Sequence, residues 1–156
     1  MIQRISQQEH MMPKPHLIFI CTENSARSLM AEAIAKYSYG DRFEVASAGT
    51  SPQQPDTRAL ETIKHHGLPV AGLRSKSLDE FAEHSIDYAI ILCSKAKLEC
   101  ADGLKAKKIM VWDFPDPKLE TSDKTYDTTM LELSERLKMF VLLYDKEIAH
   151  AEQRGN

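Results

Sequence analysis

HLIFICTENSARSLMAE, residues 16–32, contains the turn on which the fold is decided. HLIFIC is an apolar run of strand length that stops at Cys21; a polar loop follows, and a helical pattern takes over at Ser28. A chain that leaves a strand and re-enters as a helix aims backbone N–H groups and the positive end of the helix dipole at one spot. Such a nest suits a tetrahedral oxyanion. The same field favours the thiolate of a cysteine placed there, the nucleophilic form. Arg27 adds a planar guanidinium able to grip two oxyanion oxygens. Ser28 can donate to the sulfur, and Asn24 can hold the loop open through side-chain-to-backbone bonds. Cys-x5-Arg alone leaves nucleophile and buried bystander equally open, because free cysteine is among the most buried residue types. The strand–loop–helix context and the following serine favour the nucleophile.

Working outward, strand-like and helical patterns alternate. FEVASAG (43–49), YAIILC (88–93) and KKIMVW (107–112) read as further strands. The helix after the loop places Leu29, Met30, Ala33, Ile34 and Tyr37 on one face, with Gly40 as its cap. PDTRALETIKHHG (55–67) turns Ala59, Leu60 and Ile63 inward and stops at Gly67. SLDE (77–80) carries a capping-box signature. Leu133, Leu137, Phe140, Val141, Tyr144 and Ile148 form the stripe of a long closing helix. Continuous apolar strands alternating with helices predict an α/β fold with a parallel sheet covered on both faces. Ligands of such sheets bind at the carboxyl ends of the strands, where Cys21 and Cys93 both fall.

Composition narrows the class. The chain has 156 residues, 42% apolar and 28% charged, with a net charge of −3, which points to no polyanionic partner such as nucleic acid. No apolar run reaches the ~18 residues of a membrane span. Residues 1–15 are polar, lack a signal-peptide core and end in two prolines, so they read as a flexible extension to a single domain at 16–156. Three cysteines without a signal peptide predict a cytoplasmic protein. The six histidines are scattered and no Cys/His set has zinc spacing, so neither a metal nor another cofactor is expected.

CTENSARSLMAEA closely resembles the phosphate-binding loop and first helix of the low-molecular-weight protein tyrosine phosphatases. It resembles still more closely those of their relatives, the thioredoxin-coupled arsenate reductases. The likeness runs through SAG (47–49) and YAIILC (88–93) to WDFPDP (112–117). It implies a three-layer α/β/α fold with a four-stranded parallel sheet, and an oxyanion (arsenate or phosphate) held by Thr22, Glu23, Asn24, Ser25, Ala26 and Arg27. Cys21 would be the nucleophile, supported by Ser28. Asp116, directly before Pro117, would be the general acid; Asp113 is the local alternative, since either suits a turn before proline. Cys93 and Cys100, in CSKAKLEC, match the redox segment of the reductases, where a movable disulfide forms and a thioredoxin-like donor reduces it. The polar SKAKLE spacer reads as flexible. A monomer is expected.

The pattern is broken in four places. Ala26 stands where relatives carry a second loop cysteine. Glu23 replaces a frequent glycine; a carboxylate there opposes anion binding unless it points to solvent, which is the expectation. Some related reductases hold potassium with residues aligned to Asn24, Glu32, Ser47 and an aspartate; Lys76 falls at the aspartate position and predicts independence of potassium. Finally, Lys-Leu-Glu follows Asp116-Pro117 where phosphotyrosine-specific relatives place aromatics.

Overall fold

The computed structural model describes residues 13–100, 104–119, 122 and 124–154. Strands β1 (His16–Cys21), β2 (Glu44–Gly49), β3 (Ile86–Ile91) and β4 (Ala106–Val111) form one parallel sheet in the order β2-β1-β3-β4. Helices α1 (Arg27–Tyr39), α2 (Thr57–His65), α3 (Ser94–Cys100) and α4 (Lys124–Arg154) flank it, with 3-10 turns at Leu78–Phe81 and Pro117–Leu119. This is the α/β architecture with a four-stranded parallel sheet that the strand–helix alternation predicts.

Burial explains the strand order. Leu17 to Cys21 are each no more than 3% exposed, so both faces of β1 are covered, as a central parallel strand requires. β4 is an edge strand and leaves Ile109 and Val111 exposed. The order of strands across the sheet reverses between β1 and β3, the switch point at which ligands of such sheets bind. Leu92 N–H still bonds Ile20 carbonyl at 2.8 Å, which carries the pairing past β3 and delivers Cys93 beside the loop after β1.

At the same end Cys21 pairs with Gly49. A Cβ on Gly49 would lie 2.6 Å from Thr22 carbonyl oxygen and 2.9 Å from Asn24 nitrogen, so only glycine lets the loop settle on β2. Asp56 caps α2 by accepting from Arg58 N–H at 3.0 Å, and Gly67 follows with φ +79°, the left-handed stop the sequence calls for. Gly40 also ends its helix, but in a right-handed conformation.

Several expectations need correction. Tyr37 is 68% exposed instead of inward, because α1 buries Leu29, Met30, Ala33 and Ile34 and leaves position 37 past the edge of that stripe. Ile148 also lies exposed, beyond the last turn of α4 that meets the core. The SKAKLE spacer is helical: Ser94–Cys100 forms α3, with Ala96 and Cys100, one turn apart, buried beneath it. Residues 1–12 of the expected extension lie outside the described residues. Its last residues are pinned, with Pro15 carbonyl accepting from Glu44 N–H at 2.9 Å and Lys14 Nζ donating to Gly40 carbonyl at 3.1 Å.

Candidate active site

The loop from Cys21 to Arg27 is built around Asn24. This residue is fully buried and adopts φ +51°, a left-handed conformation that asparagine tolerates better than most residues. Its Nδ2 donates to Ser28 Oγ at 2.6 Å and to Ser47 Oγ at 2.9 Å, while its Oδ1 accepts from Lys76 N–H at 2.9 Å. Both amide protons are thereby used. Ser28 Oγ, accepting from Asn24, has its own proton left for Cys21 Sγ, 2.9 Å away. The sulfur also accepts from Asn24 N–H at 3.3 Å. Two donors and the start of α1 thus converge on a buried thiol. Asp56 N–H bonds Ser25 carbonyl at 2.8 Å and fixes the far side of the loop. Asp56 in turn accepts from Tyr126, whose phenol is pushed well above its ordinary pKa by burial and then by that hydrogen bond.

Beneath the loop lies a polar cluster. Glu32 is 1% exposed; its carboxylate accepts from Ser47 Oγ at 2.5 Å, Lys36 Nζ at 2.7 Å and Lys76 Nζ at 3.3 Å. Lys76 Nζ also reaches Ser47 Oγ at 3.4 Å and Arg74 carbonyl at 2.9 Å. Burial lowers the Lys76 pKa, and the charge of Glu32 works in the opposite direction. The structure therefore gathers Asn24, Glu32, Ser47 and Lys76, and it puts an ammonium among them. A potassium ion does not fit this set, since it would meet the Lys76 charge at contact distance.

Around the mouth, Arg27 Nη1 donates to Phe114 carbonyl at 2.7 Å, and its Nη2 lies 3.8 Å from Asp116 Oδ2. Asp113 instead accepts from Ser94 Oγ at 2.8 Å, at the start of α3. Of the two candidate acids, Asp116 is the one the fold brings to Arg27. Glu23 keeps its side chain 43% exposed, and it also has a partner there. Lys118 Nζ donates to its Oε2 at 2.5 Å and also to Ser25 Oγ, and the Lys118 hydrogen bond holds the Glu23 carboxyl below its usual range. Ala26 is buried at the start of α1.

Cys93, just after β3, faces the loop that follows β1. Its sulfur lies 3.5 Å from Oγ1 of Thr22, the residue following Cys21, and accepts from Ala96 N–H at 3.4 Å. Cys100, at the other end of α3, donates to Ala96 carbonyl at 2.7 Å, and burial raises its pKa. All three cysteines are free and buried. Sequence reasoning missed two residues that bind this region together. Lys118 was visible only as a cation two places beyond the acid. Glu99 accepts from Thr50 Oγ1 at 2.9 Å and Thr22 Oγ1 at 3.4 Å, tying α3 to the loop, and its identity alone gives no such signal.

The family model of low molecular weight phosphotyrosine protein phosphatase matches residues 16–154. Arsenate reductase of Bacillus licheniformis is 32% identical over 134 residues, 83% of this chain and 96% of the relative. Arsenate reductase 2 of Staphylococcus epidermidis is 35% identical over 106 residues, 68% of this chain and 81% of the relative. The solved low molecular weight protein tyrosine phosphatase of T. tengcongensis superposes with a TM-score of 0.70 at 26% identity, covering 82% of this chain and 98% of that one. Among the described residues no helix is long and apolar enough to cross a membrane. The chain belongs to the low molecular weight phosphotyrosine protein phosphatase family, in which it is similar to proteins named arsenate reductase.

Proposed function

We propose that this protein reduces arsenate to arsenite by a three-thiol relay. The observation that carries the reading is the placement of Cys93 Sγ, 3.5 Å from the residue next to Cys21, with Cys100 one short helix further on. A hydrolase would need only the first of these thiols.

In the first step Cys21 thiolate attacks arsenic and forms an S–As bond while an oxygen leaves as hydroxide, or as water once Asp116 protonates it. The loop N–H groups and Arg27 stabilise the charge on the remaining oxygens. Cys93 thiolate then attacks Cys21 sulfur. The S–As electron pair stays on arsenic, which departs as arsenite, and a Cys21–Cys93 disulfide forms. Cys100 thiolate attacks Cys93 next, releasing Cys21 thiolate and leaving a Cys93–Cys100 disulfide. A thioredoxin-like dithiol supplies two electrons and two protons to restore both thiols. We read residues 16–156 as one domain acting as a cytoplasmic monomer.

Arsenate-dependent NADPH oxidation with thioredoxin and its reductase, run beside aryl-phosphate hydrolysis, tests this. Cys93→Ala and Cys100→Ala should each abolish arsenate turnover and spare hydrolysis; Cys21→Ser should abolish both. A second reading, phosphoester hydrolysis through a Cys21 phosphocysteine, is favoured by Asp116 lying beside Arg27. Hydrolysis indifferent to both redox cysteines, without arsenate turnover, would select it.

A further inference from the structure

A carboxylate in a loop that must take an anion is a standing cost unless something offsets it. Glu23 is such a carboxylate, and Lys118 is placed to offset it. The Lys118 ammonium lies 2.5 Å from Glu23 Oε2 and also donates to Ser25 Oγ, so it grips the loop at two side chains. The same residue's backbone N–H donates to Asp116 Oδ1 at 3.0 Å. Pro117, immediately before it, is buried in the 3-10 turn Pro117–Leu119. One residue thus touches the rim of the oxyanion loop with its side chain and the candidate acid with its backbone. Arg27 bridges the same two segments from the other side, through Phe114 carbonyl and Asp116.

We propose that Lys118 is a positioning residue, a clamp that cancels the Glu23 charge beside the bound anion and fastens the Asp116 segment to the loop, and that the Lys118–Glu23 pair sets the affinity for small dianionic oxyanions. The inference rests on reading the loop as an oxyanion site, and it holds whether the chemistry is reduction or hydrolysis.

The pair makes opposite predictions for its two members, which a bystander ion pair on the surface does not. Lys118→Ala leaves Glu23 uncompensated and should weaken inorganic phosphate binding by about tenfold, since unscreened like charges oppose association. Glu23→Gln leaves the ammonium unopposed and should tighten binding by about threefold. Glu23→Gln/Lys118→Ala should return near the parent affinity, a non-additive result that only coupled residues give. Lys118→Arg should keep the parent value.

Isothermal titration of the protein with inorganic phosphate reads all four variants, with urea midpoints recorded to show that each is folded. Kinetics add a second readout. In Lys118→Ala the KM for arsenate should rise in step with the binding loss, and kcat should fall as the Asp116 segment, which keeps its backbone hydrogen bond, loses its side-chain link to the loop, with the fall confined to the limb of the pH profile where the acid must be protonated. Lys118→Ala and Glu23→Gln that both bind phosphate like the parent would overturn the clamp. Robust arsenate turnover beside that result would leave the functional reading standing. The predicted binding pattern without arsenate turnover would keep the clamp and remove the reductase reading.

Discussion

Asn24 concentrates the design of the loop in one side chain. Asn24→Ala removes three side-chain hydrogen bonds, worth about 1 kcal/mol each, and puts a Cβ without compensation into a left-handed conformation. A loss of roughly 3–4 kcal/mol in urea denaturation is expected from these terms, and Asn24→Gly should recover the backbone part, about 1 kcal/mol. Lys76 makes a different case. Lys76→Met strips one cation from a carboxylate that is 1% exposed, a change that costs about 3–5 kcal/mol when nothing replaces the partner. Lys36 remains 2.7 Å from Glu32, so about 3 kcal/mol is expected, near the lower end of that range. The sign of the pH dependence follows from burial. The folded-state pKa of Lys76 is below its ordinary 10.5, so the unfolded chain binds more protons between the two values. Stability relative to Lys76→Met should therefore rise as pH climbs toward 10.5, and urea midpoints across that interval measure it. With the cation site filled by an ammonium, arsenate turnover should be equal in potassium and sodium buffers.

At the scale of elements, α3 is both the largest surprise and the most consequential piece. Seven residues of helix hold Cys93 and Cys100 about 10 Å apart along the axis, beyond the ~7 Å Cα limit for a disulfide. The proposed relay therefore requires α3 to unwind. Leu98→Gly, at a position 80% exposed, should weaken the helix by about 1 kcal/mol and speed Cys93–Cys100 formation roughly fivefold. Thiol trapping in rapid-quench samples after arsenate addition would measure that rate. Burial raises the Cys100 pKa, so the folded state keeps its proton past the ordinary 9.0. The stability this group contributes is present below that value and lost as pH rises through the raised one; comparison with Cys100→Ala above pH 9.0 checks it. The strands were legible in the sequence because runs such as LIFI and AIIL are apolar at consecutive positions, the signature of a two-sided core. The helix α3 was not, since SKAKLEC offers only Ala96 and Cys100 as a buried pair and spans fewer than two helical turns. Cys21, Arg27, Ser28 and Asn24 could be assigned to the loop because their order along the chain already fixes their neighbourhood. The Lys118–Glu23 and Glu99–Thr50 contacts join residues 95 and 49 positions apart, and no local pattern encodes such pairings.

Across the whole molecule, the core runs up to the site, since Cys21, Cys93 and Cys100 belong to the same buried cluster as Phe140. Phe140 on α4 meets Phe43, Tyr88, Trp112 and Tyr144 at centroid distances from 5.4 to 6.5 Å, joining α4 to β3 and to the segments flanking β2 and β4. Phe140→Ala should cost about 3–5 kcal/mol in thermal or urea unfolding while leaving the oxyanion loop's own hydrogen bonds in place. Near its start, α4 touches the loop's support through Tyr126 and Asp56. Further along it reaches the amino-terminal ends of the strands, where Ile148 lies near Pro15, Asp87 and Lys107. At 1.5 Å per residue its 31 residues span about 46 Å, and those past Ile148 are exposed. That geometry gives the molecule a built-in handle. Coupled to a bead or an electrode through a label on Gln153, the protein would keep the tether away from the Cys21–Arg27 loop, and immobilised turnover should match that in free solution.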